Sequence, residues 1–94
     1  MNSLELIPKE EIPNYHFVSY DVLDNNEDRI NRLNNLQQAM VLGNNEHHKL
    51  RIYFTTTDGV KAVETTVWAT TDDTVTLKGG VVIPVNCVSK VSFY

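Results

Sequence analysis

Apolar and polar residues change rhythm midway along the chain. Over residues 27–42 the sequence Ile30, Leu33, Leu36, Gln37, Met40 and Val41 runs largely at three- and four-residue spacings, which is how one face of an α-helix is written. Arg29, Asn31, Arg32, Asn35 and Gln38 then fall toward water. Asp24 and Glu27 stand at the spacing of a capping box, in which each side chain meets the other's free backbone N–H. Gly43 offers the left-handed residue that closes a helix. The pattern predicts a helical unit over 24–43 with its body at 27–42. From Leu50 the period becomes two: Leu50, Ile52 and Phe54 alternate with Arg51, Tyr53 and Thr55, a strand with one face in a core. Asp58-Gly59 predicts a tight turn, and a returning strand over about 60–70 places Val63, Val67 and Ala69 on one face. Trp68 falls on the other face, packed under the helix or brought inward by a bulge.

The remaining positions continue the β pattern. Asp72-Asp73 turns the chain, Val75 and Leu77 point inward, Gly79-Gly80 turns it again, and Val81 and Ile83 follow inward. Pro84 ends the ladder or lies on an edge. Residues 85–88 leave room for a single tight turn before a closing strand with Val91 and Phe93.

Before the helix the signals differ. Pro8 and Pro13 predict an irregular or extended arm over 1–13. Residues 15–22 are aromatic and β-branched and predict a strand. Tyr15 and Phe17 would share one face of that strand, with Val18, Tyr20 and Val22 on the other. Two apolar faces imply cover from two sides, one of them a second subunit, because a free strand adds readily to another chain's open edge. The N-terminal region over 1–23 is therefore expected to be an extended arm that makes the protein a homo-oligomer.

At 94 residues the chain is expected to be one domain, since a chain this short hides only roughly 60–65% of its unfolded surface. With 41% hydrophobic and 21% charged residues it has the composition of a folded protein. Cys87 is the sole cysteine, so no internal disulfide forms, and a reducing compartment is expected. No basic start, signal-length apolar run or membrane-length apolar stretch is visible, so a soluble cytoplasmic protein is expected and no membrane partner. Net charge is −4, unevenly spread: residues 1–46 hold three cations and eight anions, residues 47–94 five cations and four anions. No cluster of Lys and Arg is present to displace counterions from phosphates, which disfavours nucleic acid as a partner. An acidic front segment suits a solvated face or steering toward a basic surface.

Candidate chemistry is sparse. Glu46, His47 and His48 resemble a metal cluster, but adjacent strand residues face opposite ways and cannot share one ion, so a solvated junction is the reading adopted and no metal is expected. Cys87 with a histidine has the makings of a thiol nucleophile, yet no helix start or basic neighbour stabilises a thiolate; a buried structural thiol is expected. Gly79-Gly80 after Lys78 joins strands and is no phosphate cradle. These readings predict no cofactor and no enzyme. Tyr53 and Trp68, with Arg51, Lys61 and Tyr20, form the candidate interaction surface. Such aromatics flanked by cations stack single-stranded bases or pack against protein.

The closing pattern of Val75, Leu77, Gly80, Ile83, Pro84, Val88 and Val91 resembles the ending of Sm-like and SH3-like barrels, over residues 27–94. The resemblance implies an α+β fold, mainly β with one helix: an arm, an amphipathic helix, and a five-stranded barrel over 47–94. Sm-like proteins often form rings that bind RNA through their loops, but Leu77-Lys78-Gly79 stands where their Ile-Arg-Gly is usual. In helix-before-barrel order, Asp-Gly hairpin and acidity the chain is also similar to small acidic bacterial Sm-like proteins that bind transcription factor Rho. Together these imply a non-enzymatic, self-associating protein-interaction module, with an RNA binder or regulator of RNA-handling machinery as the alternative.

Overall fold

The computed structural model describes residues 5–93 and is α+β, with one long helix and two sheets. Its centre is the hairpin of β2 (Leu50–Thr56) and β3 (Gly59–Thr65). Leu50, Ile52, Phe54 and Thr56 are buried on alternate positions of β2, as period two requires. The connecting turn closes because Thr56 Oγ1 accepts from the Asp58 N–H at 3.1 Å and donates to the Gly59 carbonyl at 2.9 Å. Gly59 adopts φ +108° with open space around it, a conformation that side chains resist. β7 (Val88–Ser92) flanks β2 on its far side. β1 (Glu5–Leu6) runs parallel to β3, giving the order β1-β3-β2-β7.

The long return strand expected over 60–70 is divided at Thr66. Its second part is β4 (Val67–Thr70), which leaves the first sheet and pairs with β5 (Thr74–Leu77), itself paired with β6 (Val82–Pro84). Val75, Leu77 and Ile83 are fully buried. Ala69 does not join Val63 and Val67 inside: the register against β5 slips between Val67 and Ala69, and Trp68 and Ala69 both end exposed. Pro84 ends the edge strand β6, where its missing N–H leaves no ladder bond unmade. A 3-10 turn, Val85–Cys87, leads into β7.

α1 covers Asn26–Glu46, longer than predicted at its C-terminal end. Its cap is Asn25, not Asp24: the Asn25 carboxamide oxygen accepts from the Asp28 N–H at 2.9 Å. Gly43 does not end the helix. The helix runs on to His47, which takes the left-handed conformation (φ 52°), while the His47 and His48 N–H groups donate to the Gly43 and Leu42 carbonyls at 3.1 and 3.3 Å. The buried stripe is Arg32, Leu36, Ala39 and Gly43. Ile30 and Val41, expected inside, are 58% and 51% exposed, and Arg32, expected in water, is 7% exposed. Close approach to β4 explains the roll: a Cβ on Gly43 would lie 2.2 Å from the Val67 carbonyl oxygen. No helix among the described residues is long and apolar enough to cross a membrane.

The N-terminal region departs furthest from expectation. Residues 15–22 form no strand; only Phe17 bridges to Thr56. Their backbone groups are met elsewhere, the Val18 and Tyr20 carbonyls by Asn86 Nδ2 at 3.0 and 2.9 Å and the Val22 N–H by the Asn86 carbonyl at 3.0 Å. The arm, of which residues 1–4 lie outside the described residues, pairs within its own chain. The Ile7 N–H donates to the Ala62 carbonyl at 2.9 Å, and a 3-10 turn (Lys9–Asn14) carries Pro13 and seats Ile12 in the core.

Candidate interaction surfaces

The register of the first sheet sorts its side chains by face. Ile52 pairs with Val63 and Phe54 with Lys61, so Lys61 leaves the sheet on the side of Phe54. Its ammonium lies 5.4 Å from the centre of the Tyr15 ring. Tyr53, Ala62, Leu6 and Lys90 make one row across the opposite, outer face, and Arg51, Glu64 and Ser92 make the next. Lys90 Nζ sits 5.6 Å from the Tyr53 ring centre, a cation–π distance. Arg51 is hydrogen-bonded to Glu64, and that bond, with a smaller contribution from Tyr53, raises its already high pKa.

Trp68 lies on the second sheet, 47% exposed. Ala69, Thr76 and Val82 form a row beside it, with Thr74 and Pro84 in the next. None of these side chains is ionisable. Tyr20, 61% exposed, belongs to the segment held by Asn86. Of the five residues singled out from the sequence, the fold brings together Arg51 and Tyr53 alone. Lys61, Trp68 and Tyr20 stand on other parts of the molecule.

The cluster that sequence reasoning missed joins the first turns of α1 to the preceding segment. Arg32 donates to both Asp21 carboxylate oxygens, at 2.9 and 2.8 Å, and from Nη1 to the Val88 carbonyl at 3.1 Å. Arg29 adds an ion pair to Asp21 at 3.4 Å and donates to the Leu23 carbonyl at 3.0 Å. The Arg32 hydrogen bonds hold the Asp21 carboxyl below its ordinary range, against the opposing effect of burial. The signal was present only as a spacing: Arg32, Leu36, Ala39 and Gly43 repeat at four, three and four residues. An arginine at that period reads as solvated until the residue facing it is known.

Burial pushes the Cys87 thiol pKa up, and its Sγ donates to the Val18 carbonyl at 3.2 Å. It is a protonated structural thiol, poorly suited to nucleophilic work. Among the described residues no group of three or more His, Cys, Asp and Glu is placed to hold a metal ion. Between α1 and β7 runs an open groove of about 430 Å³, walled by Asp28, Asn31 and Asn35 on the helix and by Ser89, Lys90 and Val91 on the strand. No protein-family model matches the chain, and no curated protein or solved structure matches it.

Proposed function

We propose that the chain is a small SH3-like, Sm-like barrel acting as a non-enzymatic protein-interaction module that associates with itself. Strand order supports the barrel: with β3 and β4 counted as one strand bent at Thr66, five strands follow α1, and a 3-10 turn precedes the last. The interaction reading rests on one observation, the outer face of the second sheet. In a chain with 20 charged residues, this face presents Trp68, Ala69, Thr74, Thr76, Val82 and Pro84 and, among the described residues, no charge. Two copies of a net-negative chain repel least where neither carries charge, and an exposed Trp in an apolar patch is a frequent anchor of protein contacts. The same reading places the protein in the reducing cytoplasm, in keeping with its lone buried thiol.

Light scattering across concentration tests this. The expected mass is a multiple of the 10.7 kDa protomer, falling to the protomer in Trp68→Asp with the fold retained by circular dichroism. A protomer mass at every concentration for the unaltered chain overturns the reading. One observation favours a second reading, an RNA binder or a regulator of RNA-handling machinery: Arg51, Tyr53 and Lys90 share the outer face of the first sheet. Retention on single-stranded RNA that weakens steeply with salt is its expected signature.

A further inference from the structure

β7 is the last strand of the first sheet, and among the described residues its outer edge has no strand partner. The Val88 carbonyl is met by Arg32 of the neighbouring helix instead. An unpaired edge exposes a row of backbone donors and acceptors that another extended chain can satisfy. Here the edge borders the groove whose far wall is Asp28 and the carboxamides of Asn31 and Asn35. The Arg32 charge in that wall is neutralised by Asp21, whereas the Asp28 carboxylate, which accepts from the neutral Asn25 Nδ2 at 3.0 Å, keeps its negative charge, so Lys90 is the cation the groove offers. The groove therefore offers strand hydrogen bonds on one side and side-chain amides on the other, which suits a peptide main chain.

Charge decides what kind of peptide. A strand added beside β7 would extend the row Leu6, Ala62, Tyr53, Lys90 by one residue, placed directly opposite Lys90. A second copy's β7, paired about a twofold axis at this middle residue, would set ammonium against ammonium, which is destabilising. A second copy's β6 brings three residues, one of them Pro84 without an N–H. Both self-pairings are poor, and of the other two edge strands β1 has only two residues while β4 is packed against α1 at Gly43. We propose that an extended segment of a different protein adds to the free edge of β7 in the groove beside α1, with an acidic residue opposite Lys90. The inference rests on the interaction-module reading but uses a different surface from the Trp68 face.

The test is a titration of the full 15N-labelled chain followed by amide NMR shifts. The probes are a capped heptapeptide of alternating threonine and glutamate and its threonine–lysine counterpart. The acidic peptide is expected to shift the backbone amides of Ser89, Lys90 and Val91 and the side-chain amides of Asn31 and Asn35. Lys90→Glu should weaken it about tenfold, worth about 1.4 kcal/mol, and reverse the preference between peptides. Asn31→Trp, at an exposed position, should block both while leaving the spectrum folded. The proposal is overturned if neither peptide shifts β7 at millimolar concentration, if the shifts fall on Trp68, Ala69 and Val82 instead, or if raising the chain concentration alone produces the β7 shifts. A silent β7 beside intact Trp68-dependent association removes this inference alone; loss of both removes the module reading as well.

Discussion

The two ends of α1 are held by opposite kinds of contact. Near its start the hold is charge: Arg32 grips both oxygens of Asp21, eleven positions earlier in the chain, and reaches the Val88 carbonyl of β7. Toward its far end the hold is the lack of a side chain: Gly43 lets the helix down onto the Val67 carbonyl of β4 and the Thr66 methyl. One contact demands partners and the other demands space. Together they set the helix roll so firmly that Ile30 and Val41 stay in solvent. A helix is thus oriented by its least forgiving residues, and a buried guanidinium and a missing Cβ tolerate less than an aliphatic chain left at the surface.

Breaking the charged end should have the larger effect. Asp21→Asn leaves the Arg32 guanidinium buried without a counter-charge, and the expected loss is about 3 kcal/mol in urea unfolding at neutral pH. The acid dependence has a fixed sign. Because the folded pKa of Asp21 lies below its ordinary 3.8, its contribution is complete above that value and fades as pH falls through the folded pKa. The gap between the unaltered chain and Asp21→Asn should therefore narrow below about pH 4. A gap that stays constant on acidification would show that the ion pair is not its source.

The steric end should give the next effect. Gly43→Ala gains helix propensity of about 1 kcal/mol but forces a methyl into a backbone carbonyl, so a net loss of about 2 kcal/mol is expected. If Gly43→Ala instead stabilises the chain, α1 and β4 are not in contact as described. The smallest change sharpens the comparison at the helix terminus. His47 holds φ 52° as a non-glycine residue, and His47→Gly should raise stability by about 0.5 kcal/mol, strain relief partly offset by the chain entropy that glycine adds to the unfolded state. Thermal unfolding resolves all three variants.

Legibility followed the source of each element's partners. The β2–β3 hairpin, the inward Val75 and Leu77 and the turn after Pro84 were readable because partner residues are near in sequence and period two sets their faces. Residues 15–22 have the composition of a strand, yet what fixes them is Asn86, 66 and 68 positions away from Tyr20 and Val18. The candidate surface suffered similarly. Tyr53 and Arg51 share a face by register, but the path of the chain past Thr66 carries Trp68 to another sheet. Lys90, which ends the Tyr53 row, gave no signal of its own before that register was known.

Local pattern alone determined that the protein has one helix followed by short antiparallel strands, because periodicity and turn chemistry act over a few residues. Tertiary structure alone decided which face of the helix is buried, that the arm pairs within its own chain, and which sheet edge stays open. Each of those outcomes depends on groups far apart in sequence meeting at hydrogen-bond or van der Waals distance. Spacing along the chain does not show which of its periods will make such a meeting.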